Sequence, residues 1–565
     1  MSQERQKHAA RHPQHEKRMG LLTRGTRANK ILVLIVLVAV MANAAYYVLS
    51  HVEGPSAYAD DPNYLFLASQ VVQGTYTLTP GYIFTLRMGQ FLPISVFYYL
   101  FGVSNLTSTS WDILSYLGTV FATFLLVRKL YNNKAALISA FLVSIFPEVA
   151  IYAVNTSEDV PLMFIGLLAL LFFIYAKDGN KKKYYFASGA MLIFAWTTSY
   201  EGGVVILFMT VYVLIELARK RITINRNSIF FVYGIAVPLL LIFIYSSLAI
   251  HEPFIMITRN LGFYSAVGTH INGLATIPTT DEQPFYYFYT MAQYGLFRTI
   301  FNSGSVSAAL NNLKTTFTHE PQNYDYGLYF YIVFPAIIAL LALREKRAYI
   351  LIGAFTAYLL TLSFGPMHLG IHLSPFGIDY LVTYRLIRFI IVLVPAMAGI
   401  MGIAFAKVLE AKRPPLRYFG LALVLLLLAF LYFNNYMISS FFYWWQMYPE
   451  SLVLQAANYL RYNVAGTPTI YIEAWVNNAT VPYSGADFPA YYGDPSTSKL
   501  VFQIDNRTNC TTFNSGGYVV WSGQPKCANW VNVFNVTTPT NIPAYYLAYE
   551  TSSIYYPPTN VYYVK

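Results

Sequence analysis

Charged residues are scarce in this chain of 565 residues: Asp, Glu, Lys and Arg together make up 11% of it. A typical soluble protein carries about 25%. Hydrophobic residues account for 56% of the chain. This composition excludes a soluble globular protein and predicts a membrane protein that crosses the bilayer many times.

The net charge of +11 is not distributed as a nucleic-acid-binding surface would require. Residues 1–30 carry eight Lys/Arg and two Glu, a net charge of +6, whereas residues 439–565 carry five Lys/Arg and six Asp/Glu, a net charge of −1. The positive charge is thus concentrated where a cytoplasmic segment would lie. We expect no nucleic-acid partner.

Cysteine is nearly absent, and the sequence contains no internal repeat. The two cysteines, Cys510 and Cys527, both lie in the C-terminal tail. An oxidising compartment would favour a disulfide bond between them, and two unpaired thiols are the alternative.

Many transporters consist of inverted repeats, so the lack of a repeat argues against a transporter.

Long apolar runs are abundant, and they predict eleven transmembrane helices. The first run, residues 31–50, has 20 residues, enough to cross a hydrocarbon core about 30 Å thick. The other ten predicted spans cover residues 109–127, 135–154, 160–176, 184–199, 202–218, 228–250, 327–343, 348–364, 385–406 and 418–438. The predicted fold is a polytopic α-helical membrane protein with a small extracytoplasmic C-terminal α/β domain.

The loops between alternate spans are basic, which predicts the orientation. With a cytoplasmic tail at residues 1–30, every inner loop carries Lys or Arg, as the positive-inside rule requires. All six Asn-X-Ser/Thr triplets then fall on the outer side, at Asn105, Asn155, Asn478, Asn506, Asn509 and Asn535. We predict a multi-pass protein of the cell (plasma) membrane, with a membrane domain at residues 31–438 and an extracytoplasmic domain at residues 439–565.

Three regions on the predicted outer side are large: residues 51–108, 251–326 and 439–565. In the first, segments 62–73 and 88–102 are too short for spans and are predicted to form helices along the interface. The tail is predicted to contain a helix over Ser451–Tyr462. Four strands follow, separated by Gly, Pro, Asn and Ser: Thr469–Val476, Leu500–Ile504, Tyr518–Trp521 and Val531–Val536.

Acids and arginines gather on the same predicted face. Asp60-Asp61 follows the first span, Glu158-Asp159 precedes the fourth, Glu201 lies in a tight turn, and Arg385 and Arg388 open the tenth span. Transfer of a sugar from a lipid phosphate needs a base to deprotonate the acceptor and cations to hold the departing phosphate. The alternative is that these charges are merely solvated at the interface, where they avoid the cost of mid-bilayer burial.

Several motifs resemble the integral-membrane glycosyltransferases of the GT-C superfamily, in particular the branch of protein O-mannosyltransferases and lipid A aminoarabinose transferases. They are Asp60-Asp-Pro-Asn-Tyr64, Gln70-Val-Val-Gln-Gly74, the Pro-aromatic segment Leu92–Gly102, Glu158-Asp-Val-Pro-Leu162, and Arg385-Leu-Ile-Arg-Phe389 followed by Pro395. The resemblance covers residues 31–203 best. Two departures are Asp61 in place of the usual Glu and a longer Arg-to-Pro spacing in the last motif.

The resemblance implies an inverting transferase that moves a sugar from a polyprenyl or dolichyl phosphate to a protein, lipid or glycan acceptor at the outer membrane face. Asp60 would be the general base, Asp61 would support it or orient the acceptor, and Asp159 would be a second acid. Tyr200-Glu201 stands where related enzymes often carry a lysine. The residues expected to bind substrate or the donor phosphate are Tyr64, Arg87, Glu158, Glu201, Arg259, Arg385 and Arg388.

Other functions remain open at the level of sequence. A lipid or sugar flippase would place ionisable groups at mid-membrane, and a non-catalytic assembly factor would not need the acidic pair. Trp444-Trp445 is not followed by the Asp-Tyr-Gly of oligosaccharyltransferases, which argues against en bloc glycan transfer. No cofactor is certain. A divalent metal is possible, but His368 and His372 are expected to be polar loop residues or lipid-phosphate contacts.

Overall fold

The structure is a computed structural model, and it describes the chain in segments. These are residues 27–52, 61–79, 83–220, 222, 225–258, 305, 307, 329–364, 366–373, 376–382, 387–411, 413–464, 469–473, 499–504, 509–522, 524–535 and 559–565. They form a helical bundle followed by a small β-sheet.

Fourteen α-helices lie within the described residues. In chain order they are α1 (Arg27–Ser50), α2 (Asp61–Gln73), α3 (Met88–Phe101), α4 (Asn105–Leu130), α5 (Asn133–Ser144), α6 (Pro147–Ala153), α7 (Asp159–Gly179), α8 (Lys182–Thr198), α9 (Gly202–Ala218), α10 (Ile229–Ile250), α11 (Tyr329–Ala342), α12 (Tyr349–Phe364), α13 (Val394–Leu409) and α14 (Pro414–Asn463). Each of the eleven predicted spans overlaps at least one of these helices. The two predicted interface segments correspond to α2 and α3.

Six helical segments among the described residues are long and apolar enough to cross a membrane. They differ in how much of their surface the protein covers. The most apolar windows are 72% buried in α7 and 83% buried in residues 390–409, but only 11% buried in α10. These fractions place α7 and α13 at the centre of the bundle and α10 at its periphery. The apolar side chains that α10 leaves exposed are favourable in contact with lipid.

Two of the predicted spans have a different local structure. Residues 135–154 form two helices, α5 and α6, which are bent by 60° at the break. Pro147 begins the second helix, because proline lacks the N–H that would continue the first. The span predicted at residues 385–406 begins as a 3₁₀-helix over Ile387–Leu393 and becomes α-helical at Val394.

Close packing of α8 on α10 depends on glycine. A Cβ atom on Gly189 would lie 2.2 Å from the carbonyl oxygen of Phe231, and one on Gly234 would lie 2.2 Å from that of Phe186. Neither clash could be relieved by a side-chain movement, since both involve the backbone. Small residues at helix contacts are a common way to bring membrane helices together.

The last helix, α14, runs for 50 residues without interruption. The helix predicted at Ser451–Tyr462 is its final part rather than a separate element. Near this end, the ring of Tyr459 stacks on Phe534, with centroids 4.5 Å apart. A single helix therefore connects an apolar span to the C-terminal sheet.

The C-terminal sheet has five strands: β3 (Thr469–Glu473), β4 (Lys499–Ile504), β5 (Tyr518–Ser522), β6 (Trp530–Asn535) and β7 (Thr559–Val564). Their order in the sheet is β4-β3-β5-β7-β6. β3 pairs in parallel with β4 and β5, whereas β7 pairs antiparallel with β5 and β6. The predicted disulfide between Cys510 and Cys527 is confirmed, and it lies against the buried aromatic core of this sheet.

A separate hairpin precedes α13. Strands β1 (Pro366–Leu373) and β2 (Phe376–Val382) pair antiparallel, with His368 opposite Leu381 and His372 opposite Gly377. The two histidines therefore occupy strand positions rather than the loop or helix that their surroundings and spacing suggest.

Candidate active site

The site is built where three short segments meet: the start of α2, the 3₁₀ turn Ile83–Leu86 before α3, and the loop 154–158 between α6 and α7. Asp61 and Pro62 begin α2, consistent with an acid and a proline in the first turn of a helix. Gly74, with φ of +69°, follows the end of that helix in a conformation that favours glycine. Asp61 on α2 and Asp159 on α7 both stand in the first turn of a helix.

Arg87 lies at the centre of this end. Its guanidinium Nη1 donates a hydrogen bond to Glu158 Oε1 over 2.6 Å and another to the hydroxyl of Tyr64. Tyr64 in turn donates to Glu158 Oε2 over 2.7 Å. Both oxygens of the Glu158 carboxylate are thus engaged by one cation and one phenol.

Aromatic rings surround the same guanidinium. Its central carbon lies 5.2 Å from the ring centroid of Phe84, 5.9 Å from that of Tyr200 and 6.0 Å from that of Tyr64. Rings at these distances attract a cation through their electron-rich faces. Arg87 is only 9% exposed, so these rings and Glu158 replace much of its hydration.

The loop 154–158 is fixed by two carboxylates through consecutive backbone amides. Thr156 N–H donates to Asp61 Oδ2 over 3.0 Å, and Ser157 N–H donates to Asp112 Oδ1 over 3.1 Å. Asp112 lies on α4 and was not among the residues predicted from sequence. Its carboxylate also accepts longer contacts, of 3.4 and 3.5 Å, from Gln90 Nε2 on α3.

Asp159 lies at the first position of α7, beside the same loop. The hydroxyl of Ser157 donates to Asp159 Oδ2 over 2.7 Å. Ser157 therefore contacts two acids, Asp112 through its amide and Asp159 through its hydroxyl. Ser157 thus links the predicted second acid to Asp112.

Glu201 is the N-cap residue of α9 and is anchored from another helix. The hydroxyl of Tyr358 on α12 donates to Glu201 Oε2 over 3.0 Å. The preceding residue, Tyr200, contributes the ring beside Arg87. The turn Tyr200-Glu201 therefore borders the Arg87 centre.

The interpretation of these acids as solvated interfacial charges is wrong for those that the structure describes. The exposed fraction is 1% for Asp61, 2% for Glu158, 1% for Asp159 and 2% for Glu201. Burying a charged group is costly unless hydrogen bonds or a counter-charge compensate, and those compensations are the contacts described above.

Four of the predicted site residues have no described side chain. Asp60, Arg259 and Arg385 lie outside the described residues, and Arg388 belongs to the 3₁₀-helix Ile387–Leu393 without a described side chain. Asp112, by contrast, was missed by sequence reasoning. The available signal was an acid inside the predicted span 109–127, since ionisable residues within spans are usually functional.

No metal centre emerges from the part of the chain that the structure describes. Within it, no three His, Cys, Asp or Glu side chains are arranged so that they could hold a metal ion. The described part of the site contains five carboxyl groups, those of Asp61, Asp112, Glu158, Asp159 and Glu201, and one guanidinium, that of Arg87.

Part of the chain matches a known protein family. Residues 88–246 match the sequence profile of the dolichyl-phosphate-mannose-protein mannosyltransferase family. That segment includes Asp112, Glu158, Asp159 and Glu201, and it begins one residue after Arg87. A comparison with curated protein sequences finds no match to the chain.

Two solved structures have a similar fold. ArnT from Cupriavidus metallidurans, bound to undecaprenyl phosphate, is 14% identical, with a TM-score of 0.55 over 95% of this chain and 98% of that one. The oligosaccharyltransferase of Archaeoglobus fulgidus is also 14% identical, with a TM-score of 0.51 over 86% of this chain and 69% of that one.

The chain is therefore a multi-pass membrane protein with the fold of GT-C glycosyltransferases, as the sequence predicts. Within that class it is similar to the ArnT and protein mannosyltransferase type, which is the branch that its motifs resemble.

Proposed function

We propose that the protein transfers a sugar from a polyprenyl- or dolichyl-phosphate carrier to an acceptor at the outer face of the membrane. One observation carries the proposal: a buried guanidinium, ringed by aromatic side chains, lies at a cluster of buried carboxylates at the ends of the helices. This arrangement provides a cation for a phosphate and acids for proton transfer within one small volume.

Arg87 is the proposed anchor for the donor phosphate. A planar guanidinium can hold two phosphate oxygens at once, and in the structure it holds Glu158 Oε1 and Tyr64 instead. A bound phosphate would compete with Glu158 for the same donors. The solved ArnT structure contains undecaprenyl phosphate, a ligand of this chemical class. Arg259, Arg385 and Arg388 remain proposed further contacts to the donor.

The chemical step is a single displacement at the anomeric carbon of the sugar. The acceptor oxygen or nitrogen forms a bond to that carbon as the bond to the phosphate oxygen breaks, which inverts the configuration. The leaving phosphate retains the electron pair, and a carboxylate takes the acceptor's proton. Asp60 is the proposed base. Its neighbour in the sequence, Asp61, accepts the Thr156 N–H and so contacts the loop that carries Glu158.

Asp159 is the proposed second acid. Its bond from Ser157 fixes the carboxylate beside the loop that carries Glu158. The acceptor is a protein, lipid or glycan with a nucleophilic group that reaches this end of the bundle. The competing function, transport of a lipid or sugar, requires ionisable groups along the middle of the helices. The buried acids of the site instead lie near helix starts.

The charge distribution along single helices supports the proposed orientation. α4 carries Asp112 near its start and Lys129 near its end, and α7 carries Asp159 at its start and Lys177 near its end. The positive-inside rule then assigns the lysine ends to the cytoplasm and the site to the outer face of the plasma membrane. A cysteine introduced at position 480 should be labelled from outside in intact cells. Protection of that position would contradict the orientation.

The proposal is tested with purified protein, a panel of radiolabelled polyprenyl-phosphate sugars, and candidate peptide, lipid and glycan acceptors. Sugar transfer together with release of the polyprenyl phosphate is the expected result. Release without transfer would indicate hydrolysis. The absence of both reactions across a panel that serves active enzymes of this fold would contradict the proposal.

A further inference from the structure

The loop between α6 and α7 carries both Glu158, which pairs with Arg87, and Asp159, the proposed second acid. Its backbone must therefore be held for these groups to stay in place. Two consecutive amides, those of Thr156 and Ser157, point to two carboxylates on different helices, Asp61 on α2 and Asp112 on α4. The loop is tied at adjacent residues to two separate elements of the bundle.

Asp112 differs from the other acids in what surrounds it. It is fully buried, and its described hydrogen-bond donors are the Ser157 amide and the amide nitrogen of Gln90, also fully buried. Neither donor is charged, so this carboxyl group serves as an acceptor for the backbone rather than as an ion-pair partner.

We propose that Asp112 is a positioning residue, whose bond to the Ser157 amide holds the loop 154–158 so that Glu158 and Asp159 stay aligned with Arg87. This inference rests on the proposed sugar transfer for its catalytic consequence. Asp112 acts through the loop and does not itself contact substrate.

The chemistry of the contact predicts a difference between two substitutions. In Asp112→Asn, the side-chain oxygen can still accept the Ser157 N–H. The new amide nitrogen would face Gln90, whose own amide can rotate by 180° and present its oxygen. In Asp112→Ala, no acceptor reaches Ser157, and a buried backbone N–H is left without its partner.

The first measurement is independent of turnover. Hydrogen–deuterium exchange of the intact protein in lipid nanodiscs should show faster exchange of the Thr156–Asp159 peptide in Asp112→Ala, and near-wild-type exchange in Asp112→Asn. Thr123→Ala is the matched control. Thr123 is fully buried on the same helix, and its hydroxyl makes no hydrogen bond among the described residues. Unchanged loop exchange in a folded Asp112→Ala protein would overturn the inference.

The second measurement is kinetic. Displacement of catalytic groups by about 1 Å can cost roughly 10²-fold in rate, so Asp112→Ala should lower kcat by about that factor with a smaller change in donor KM. Asp112→Asn should stay within about threefold of wild type and keep its pH profile, since a hydrogen-bond acceptor remains. An Asn variant as inactive as the Ala variant, with an intact loop, would make Asp112 a catalytic acid or base and overturn the positioning role.

The two measurements separate this inference from the proposed function. If the wild-type protein transfers no sugar, the proposed function fails, and the exchange result alone decides whether Asp112 holds the loop. If Asp112→Ala does not fold, the Asn variant still decides: loss of loop protection or of activity in that variant contradicts the inference.

Discussion

The two ends of the helical bundle treat charge differently. At the end opposite the site, acids are paired with lysines: Lys129 with Asp178, Lys177 with Glu216, and Lys407 with Glu345. The Lys129–Asp178 pair is partly open to solvent, with its side chains 23% and 32% exposed. At the site end, the acids are almost fully buried and outnumber the described cation Arg87.

This contrast separates a structural use of charge from a functional one. Paired, partly exposed ions contribute little to stability and mark the membrane boundary. A buried excess of carboxylates is unfavourable for folding, and it persists only where other contacts or a function compensate. The site end is therefore where substitutions should affect activity, and the partly exposed Lys129–Asp178 pair at the opposite end is where they should affect neither activity nor folding strongly.

The largest effect is expected from Asp60→Asn. Loss of a general base typically lowers the rate by about 10²–10⁴-fold. The change is nearly isosteric, so the folded fraction should stay close to wild type in size-exclusion chromatography and thermal melts. Asp61→Asn and Asp159→Asn should also impair transfer. Wild-type turnover by a folded Asp60→Asn protein that retains Asp61 would show that the base is assigned to the wrong acid.

A second large effect is expected from Arg87→Ala, and it has two parts. Removing one partner of a buried ion pair leaves Glu158 uncompensated, which typically costs about 3–5 kcal/mol of stability. Loss of the proposed phosphate anchor should also raise the donor KM. The double variant Arg87→Met/Glu158→Gln separates the two parts, because it removes both charges.

That double variant should recover most of the thermal stability that Arg87→Ala loses, yet bind the polyprenyl-phosphate donor as poorly as the single variant. Donor affinity can be measured in nanodiscs, where polyprenyl phosphate without a sugar competes with the donor for the site. Wild-type donor binding by the double variant would exclude Arg87 as the phosphate anchor and leave it a structural residue.

The smallest effect is expected from Lys129→Ala at the opposite end. The pair with Asp178 is partly exposed, and pairs of this kind contribute about 0–1 kcal/mol. Turnover, donor KM and melting temperature should all remain near wild type. A loss of activity comparable to that of Arg87→Ala would remove the distinction between the two ends.

Sequence predicted the elements that depend on local pattern. Apolar runs of about 20 residues are unambiguous signals for spans, and each predicted span overlaps a helix. Short alternating runs bounded by Gly and Pro predicted four strands of the C-terminal sheet. The disulfide was predictable because only Cys510 and Cys527 could form one.

Features that depend on tertiary partners were not predictable in this way. Residues 559–564 form β7 by pairing with β5 and β6, which precede it in the chain. His368 and His372 lie on a strand because β2 pairs with it, although their spacing equally suits a helix. The pairing of Arg87 with Glu158 joins residues 71 positions apart, and no local signal links them.

The role of Asp112 shows the same limit. Its position inside a predicted span marks it as unusual, but its partner is the backbone amide of Ser157, 45 residues away. A backbone partner leaves no trace in the identity of either residue. Sequence could therefore identify four of the five described acids of the site, but not Asp112 or the contacts that hold these acids.

The most direct test of the account is turnover by the Asp60→Asn/Asp61→Asn double variant, measured as release of polyprenyl phosphate from a radiolabelled polyprenyl-phosphate sugar with its acceptor. The wild-type protein should release the carrier and label the acceptor, and the folded double variant should do neither above background. Full activity in the double variant would contradict the proposed transferase mechanism.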